Sequence, residues 1–222
     1  MAAALAMPAT AQNEYDPKAK EVLEKVATST KASESIRASF LWTLENKAEK
    51  TKDSKSGHMF IKGEKYKLIL GGQELFSDGT TMWSYSKDAN EIEINEVDNS
   101  DDNIISNPAK IFNLYEKGFK YALKDEKTMA VKVKKDGKET TENKPCYIVD
   151  LYPESPKGKG FHTVELIIDK ASNQMRSICI KFKNGTDQLI EITEYKTNVT
   201  MPDALFTYDP AKYPGAEVND MR

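Results

Sequence analysis

The sequence is poor in the residues that most catalytic and metal sites require. It contains two histidines, His58 and His162, and two cysteines, Cys146 and Cys179, among 222 residues. HExxH, CxxC and GxSxG patterns are all missing, and no second histidine lies three to five positions from either one. We therefore expect a protein that is not an enzyme and that holds no metal or cofactor.

Long apolar runs and a strong net charge are missing as well. No segment approaches the ~18 to 20 consecutive apolar residues of a membrane-spanning helix. The 32 basic and 35 acidic residues leave a formal net charge of −3, whereas proteins that bind nucleic acid are usually clearly basic. We expect no nucleic-acid partner, and the length suits one domain with a sizeable core or an enclosed cavity.

The start of the chain resembles part of a secretory signal. Residues 1–12 are mostly small and apolar, and Ala9-Thr10-Ala11 matches the small-x-small pattern of a signal-peptide cleavage site, although a positively charged start is missing. We interpret residues 1–12 as a signal-peptide remnant and residues 13–222 as a single exported domain. The alternative is the Ala-rich start of a cytosolic protein.

The two cysteines fall in different predicted strands. In a simple meander another strand lies between them. With ~4.8 Å between neighbouring strands, the distance between their Cα atoms is greater than the ~7 Å that a disulfide can bridge. We predict that Cys146 and Cys179 are buried, unpaired thiols; a disulfide is the alternative for an exported protein.

Two segments have helical patterns. Asp16-Pro17 provides an N-cap and a proline for the first turn of a helix that ends near Thr30, with apolar residues at helical spacing. Asn107-Pro108 starts a second predicted helix that ends at Gly118.

The rest of the chain alternates apolar and polar residues in short segments that are separated by turns such as Asp78-Gly79 and Asn184-Gly185. Short turns favour antiparallel pairing, so we predict a meander of about eleven or twelve strands. Residues 119–124 and 129–134 are predicted as separate strands around a turn at Asp125-Glu126. For residues 201–222, which are rich in proline and aromatic residues, we predict packing along the sheet without regular structure.

A sheet of this size tends to curl. We therefore predict an α+β, mainly antiparallel fold: an incomplete, half-open curved barrel with the two helices as a lid over an apolar cavity. The alternative is a fully packed β core.

An apolar stripe along the strands gives the candidate cavity residues, although ordinary core packing would produce the same pattern. The predicted cavity residues are Ile36, Ala38, Phe40, Trp42, Met59, Ile61, Leu68, Leu70, Trp83, Tyr85, Ile92 and Ile94. The predicted lid residues are Val22, Leu23, Val26, Ile111, Phe112 and Tyr115.

A lysine-rich hairpin surrounds Asp136-Gly137, with Lys132, Lys134, Lys135 and Lys138 on its two arms. Lysines at this density usually keep a sheet edge soluble. They could also meet an anionic partner or a membrane surface.

Five stretches together carry a resemblance to a known family: Ala38-Ser39-Phe40, Gly57 with Met59-Phe60-Ile61-Lys62, Ser77 to Tyr85, Asn107-Pro108, and Pro202 to Pro210 with Gly215-Ala216-Glu217-Val218. From about Val22 to the C-terminus, the chain resembles the periplasmic outer-membrane lipoprotein carriers. These are soluble chaperones that move lipoproteins between the two membranes of Gram-negative bacteria.

The resemblance implies an incomplete barrel whose mouth is covered by helices and whose apolar interior shelters acyl chains. It implies a periplasmic monomer that binds acylated lipoproteins and meets an inner-membrane release complex and an outer-membrane acceptor. One position departs from the family, because Gly63-Glu64 stands where the best-known carriers have an Arg-Pro pair that helps to latch the lid. A lipid sensor or envelope-stress regulator on the same half-barrel, or a carrier of another hydrophobic lipid product, would fit the same features.

Overall fold

One α-helix and twelve strands form the described part of the chain, which comprises residues 15–97, 118–135 and 137–222 of a computed structural model. The predicted second helix, with Ile111, Phe112 and Tyr115 of the lid, lies outside the described residues, and so do residues 1–12. The elements are α1 (Pro17–Lys31), β1 (Ile36–Asn46), β2 (Thr51–Lys62), β3 (Lys65–Leu70), β4 (Gln73–Ser77), β5 (Thr81–Ser86), β6 (Glu91–Glu96), β7 (Phe119–Lys135), β8 (Lys138–Pro153), β9 (Phe161–Asp169), β10 (Met175–Phe182), β11 (Thr186–Thr197) and β12 (Glu217–Asp220).

Helix α1 begins where the sequence predicts it. A carboxylate oxygen of Asp16 accepts hydrogen bonds from the amides of Lys18 and Ala19, at 2.8 and 3.4 Å. The other oxygen accepts from the amide of Leu123, at 3.0 Å, which ties the helix start to β7. Partial burial raises the pKa of Asp16, but these amide donors outweigh it and hold the pKa below its ordinary value.

All twelve strands belong to one sheet, in the order β12-β6-β5-β4-β3-β2-β1-β11-β10-β9-β8-β7. Strand β1 pairs antiparallel with both β2 and β11, so a late strand returns to lie beside the first. The edge strands β12 and β7 are eleven places apart in this order and do not pair, which leaves the barrel open. The predicted strand number and mainly antiparallel pairing are confirmed.

Two predictions about strands were wrong. The sequence predicts a turn at Asp125-Glu126, but β7 continues through these residues. A bulge between Leu123 and Asp125 accommodates one extra residue, Lys124, without ending the strand. The C-terminal segment was expected to lack regular structure, but Glu217–Asp220 forms β12, which pairs parallel with β6. Short 3-10 turns at Asp203–Leu205 and Pro210–Lys212 precede it.

The far half of the β7–β8 hairpin, which we call the distal hairpin (residues 128–144), folds over the sheet. Its Val131 and Val133 are buried in a cluster with Cys146 and Ile167. Lys132 on β7 also forms an ion pair with Glu191 on β11, with 2.8 Å between Nζ and Oε2. Three strands separate β7 from β11 in the sheet order, so the sheet must curl strongly at this end.

Neither cysteine forms a disulfide, as predicted. Cys146 lies on β8 and Cys179 on β10, with β9 between them. Cys146 is buried and Cys179 is half-buried. Burial, together with the nearby carboxylate of Asp187, raises the pKa of Cys179 to about 11, so this thiol is a poor nucleophile at neutral pH.

Gly57 on β2 leaves room for an aromatic ring from β1. It lies opposite Phe40, and a Cβ at position 57 would stand 2.3 Å from Phe40 Cζ, 2.6 Å from Cε2 and 2.9 Å from the carbonyl oxygen of Ile69. Because one of these atoms belongs to the backbone, a side chain at this position cannot be accommodated by a ring movement alone.

We expect Gly57→Ala to lower the free energy of unfolding by about 1–3 kcal/mol, the usual cost of overpacking a closely packed site. Urea denaturation of the purified variant measures it. Gly160→Ala is the matched control, because a Cβ there meets only Phe182, at 3.8 Å. Equal stability of the Gly57→Ala variant and the wild type would contradict the close approach of Phe40.

Candidate functional site

Strand register divides the predicted cavity residues between the two faces of the sheet. Residues that lie directly opposite each other on neighbouring strands point to the same side. The pairs Ile36–Ile61, Ala38–Met59 and Met59–Leu68 therefore share one face, which we call the inner face because α1 packs on it. Eight of the twelve predicted residues lie on the inner face: Ile36, Ala38, Phe40, Trp42, Met59, Ile61, Leu68 and Leu70.

The other four predicted cavity residues lie on the opposite, outer face, so the expectation of one shared stripe was wrong. Phe76 of β4 lies opposite Lys67 of β3, the neighbour of the inward Leu68, and also opposite Trp83 of β5. The pairs Trp83–Ile94 and Tyr85–Ile92 then extend this outer set into β6. On β5 the inner positions hold Met82 and Ser84, so the aromatic side chains point outward.

The C-terminal segment covers this outer set. The ring of Tyr213 lies 6.0 Å from that of Phe76 and 4.7 Å from that of Tyr85, measured between centroids. Its hydroxyl donates a hydrogen bond to Glu74, at 2.9 Å. Phe76 and Ile92 are fully buried beneath it. Trp83, Tyr85, Ile92 and Ile94 thus belong to a packed structural cluster.

Asp203 ties the start of this C-terminal segment to the β2–β3 hairpin. Its two carboxylate oxygens accept from Lys62 and Lys65, each at 2.8 Å. The hydrogen bonds from Lys62 and Lys65 lower the pKa of Asp203 to about 2. Lys62 and Asp203 belong to two of the stretches that carry the family resemblance, so their pairing gives those stretches a shared structural role.

We expect the contribution of Asp203 to stability to depend on pH. Its folded pKa of about 2 lies below the ordinary value of 3.8, so the contribution is complete above the ordinary pKa and disappears as the pH falls through about 2. The melting temperature of Asp203→Asn should lie below that of the wild type at pH 6, and the gap should close towards pH 2. Asp88→Asn, in an exposed turn, is the control. A gap that stays constant with pH would contradict the ion pairs.

Part of the inner face is closely packed under α1. The three predicted lid residues on this helix, Val22, Leu23 and Val26, are buried in one cluster with Ile36 and Ala38 of β1. Met59 and Ile61 of β2 join the same cluster. The start of α1 is tied to β7 through Leu123 and its end leads into β1, so the helix lies on the inner face.

Beyond this packed part, the inner face keeps a row of large apolar side chains that are only half-buried. They lie on strands from both halves of the sheet, because Trp42 of β1 pairs with Ile190 of β11. We call this set the open inner patch, and its members are Trp42, Leu68, Leu70, Leu75, Phe161, Phe182 and Ile190. Such a partly exposed apolar surface is suited to hold an apolar ligand.

Sequence reasoning found Trp42, Leu68 and Leu70 but missed the four other members of the open inner patch. Phe161, Phe182 and Ile190 join it only because β11 returns to β1 and brings β9 and β10 with it. Phe182 pairs with Phe161, with 6.4 Å between their ring centroids. The alternating pattern of β9 to β11 marks these residues as core candidates, but no local signal shows which distant strand they face.

The turn at Gly63-Glu64, where the resemblance implies an Arg-Pro pair, has a backbone conformation that favours glycine. Gly63 has φ of 58°, in the left-handed region that favours glycine. No atom lies within 4 Å of a Cβ built on Gly63, and Glu64 is exposed. An arginine at position 63 would be strained at this φ angle. The Gly63-Glu64 turn therefore does not suit an Arg-Pro pair in its present conformation.

No helix among residues 15–97, 118–135 and 137–222 is long and apolar enough to cross a membrane. In the same residues, no group of three or more histidine, cysteine or acidic side chains is arranged to hold a metal ion.

Comparison with solved structures relates the fold to known proteins. An uncharacterised conserved protein from Thermus thermophilus matches with a TM-score of 0.53 and 14% identity, over 91% of this chain and 99% of that one. A LolA superfamily protein from Nitrosomonas europaea matches with a TM-score of 0.43 and 11% identity, over 86% of this chain and 97% of the other. LprF from Mycobacterium bovis matches with a TM-score of 0.44 and 13% identity, over 85% of this chain and 97% of the other. The first of these shows a shared fold.

Sequence comparison identifies the family. No curated protein matches the chain. The family model for the outer membrane lipoprotein carrier protein LolA matches residues 31–209, which include every strand from β1 to β11. The chain therefore belongs to the LolA family of outer-membrane lipoprotein carrier proteins.

Proposed function

We propose that the protein is a periplasmic carrier that shelters the acyl chains of lipoproteins on the open inner patch and moves them from the inner to the outer membrane. The observation that carries the proposal is the row of half-buried apolar side chains on the inner face beyond α1, in a chain that matches the family model for the outer membrane lipoprotein carrier protein LolA. The partners would be acylated lipoproteins, an inner-membrane release complex and an outer-membrane acceptor. The carrier would act as a monomer.

A carrier of this kind answers a physical need. Each acyl chain of ~16 carbons would expose apolar surface worth ~0.8 kcal/mol per methylene, or on the order of 10 kcal/mol per chain. A lipoprotein can cross an aqueous compartment only if another apolar surface replaces the bilayer. Because the cargo must also be released, a half-open patch suits the task better than a tightly closed pocket.

The glycine at position 63 bears on how the cargo enters. Gly63 supplies no charge that could reach a lid, so the open and closed states of a lid should differ little in free energy. We therefore expect the purified protein to take up a fluorescent fatty acid without any ATP-driven partner, measured as a rise in fluorescence on titration. Uptake that requires a release complex would contradict this part of the proposal.

The function itself is tested by native mass spectrometry of the protein purified from its own host. We expect a population whose added mass corresponds to an acylated lipoprotein. A free lipid in its place would support the carrier of another hydrophobic product, and protein that carries neither after gentle purification would contradict the proposal.

A further inference from the structure

A cleft lies on the outer face, separate from the open inner patch. It has a volume of about 540 Å³ and lies between the distal hairpin and the strands β10 and β11. This volume lies within the range of small-molecule sites, roughly 300 to 1,000 Å³. Glu194 in its wall pairs with Ser39, a neighbour of the inward Ala38, which places the cleft on the side of the sheet away from the acyl-chain patch.

Basic side chains dominate the walls of the cleft. Four cations line it, Lys134, Lys144, Arg176 and Lys196, with only two acidic residues, Glu142 and Glu194. The chain as a whole carries a net charge of −3, so this local excess of positive charge is a departure from the average surface. A concave site with one sign of charge concentrates ligands of the opposite sign.

Ion pairs with acidic residues hold three of these four cations in place and, in the described part of the chain, leave one without an ion pair. Arg176 donates to the buried Asp169, at 3.0 Å, and Lys144 lies 3.3 Å from the same carboxylate and 3.5 Å from that of Glu142. Lys196 pairs with Glu194, at 2.8 Å. Within the described residues, Lys134 has no ion-pair partner.

Arg176 is the most constrained of the four. Its side chain is 10% exposed, and its Nε–H is buried without an acceptor among the described residues. Its ion pair with Asp169 fixes the guanidinium at the cleft wall, so little side-chain freedom remains to be lost when a ligand binds. A fixed guanidinium with several ammonium groups around it matches the geometry and charge of a phosphate group.

We propose that this cleft binds a phosphate group, carried by a soluble phosphate ester or by a lipid headgroup. The negatively charged phosphate would pair with the ammonium group of Lys134, which has no ion-pair partner among the described residues. The guanidinium of Arg176, which Asp169 holds in place, would donate hydrogen bonds to the phosphate. The site is independent of acyl-chain binding because the sheet separates the two faces. The lysine-rich hairpin identified in the sequence therefore contributes to a ligand site through Lys134.

The test is titration calorimetry of the full chain with inorganic phosphate and with glycerol 3-phosphate, together with co-sedimentation with vesicles of phosphatidylglycerol or phosphatidylcholine. Lys134→Gln should weaken binding about tenfold, the loss of one charge-assisted contact. The matched control is Lys138→Gln, an exposed lysine of the same hairpin that does not line the cleft; it should change binding less than twofold. Melting curves establish that both variants are folded.

The outcomes separate the two sources of phosphate. Binding of glycerol 3-phosphate that depends on Lys134 supports a soluble ester, and binding only to phosphatidylglycerol vesicles with the same dependence supports a lipid headgroup. The proposal is overturned if no probe binds, or if Lys134→Gln and Lys138→Gln weaken binding equally, because the attraction would then be a general charge effect.

Discussion

Ile190→Asp should greatly weaken acyl-chain binding and leave the protein folded, whereas Ile92→Asp should strongly destabilise the fold. The two variants introduce the same chemical change on opposite faces of one sheet. Ile190 is half-buried on the open inner patch, and Ile92 is fully buried in the outer cluster with Phe76 and Tyr213. A carboxylate at position 190 can remain hydrated in the empty carrier, but the one at position 92 cannot.

The expected magnitudes differ accordingly. An unpaired charge at position 92 should cost about 3–5 kcal/mol of stability, and at position 190 about 1 kcal/mol, as at a partly exposed site. An acyl chain that binds over the carboxylate introduced at position 190 would have to desolvate it at a cost of several kcal/mol. The affinity for a fluorescent fatty acid should therefore fall at least a hundredfold, since ~2.8 kcal/mol corresponds to that factor.

Thermal melts and fatty-acid titrations of both variants make the comparison, with Ile190→Val as a conservative control. A melting temperature for Ile190→Asp as low as that of Ile92→Asp would show that the inner face is closely packed at this position. Unchanged lipid binding by a folded Ile190→Asp variant would place the acyl chain elsewhere.

Tyr213→Ala should strongly destabilise the protein, with a loss of about 3–5 kcal/mol. The side chain is 8% exposed and its ring packs against those of Phe76, Tyr85 and Tyr208. Removal of the ring would uncover the outer cluster and release the segment that leads into β12. Urea denaturation gives the loss of stability, and limited proteolysis should cut first within residues 207–216.

The control is Tyr213→Phe, which keeps the ring and removes only the hydrogen bond to Glu74. Lys67 still pairs with Glu74, at 2.6 Å, so we expect a loss of about 1 kcal/mol. Similar losses for the two variants would mean that the hydroxyl, and not ring packing, fixes the segment.

The parts of the fold that depend on neighbouring residues were predictable from the sequence. Helix α1 follows from Asp16, Pro17 and the apolar spacing after them, since an N-cap acts within one turn. The antiparallel pairing follows from short turns, whereas the strand number agrees because two predicted strands are the single strand β7 and β12 is additional. Strand β12 was missed because its pairing partner, β6, lies more than 120 residues earlier in the chain, and nothing in Glu217–Asp220 itself marks a strand.

The candidate site was only partly predictable for a related reason. Alternation shows that Trp83 and Tyr85 share one face of β5. Whether that face is the inner one depends on the pairing register of every hairpin between β1 and β5. The pairs Leu68–Leu75 and Leu75–Ser84 put the small serine inward and the rings outward. The contribution of Ile190 depends on the β1–β11 pairing, which joins residues about 150 positions apart.

The most direct test of the acyl-chain site is photo-crosslinking of the purified protein with a diazirine-labelled palmitate, followed by peptide mass spectrometry. We predict crosslinks to members of the open inner patch, foremost Trp42, Leu70 and Ile190, and their loss on competition with unlabelled palmitate. Crosslinks concentrated on the outer cluster around Trp83 and Tyr85, or labelling that palmitate does not compete away, would contradict the account.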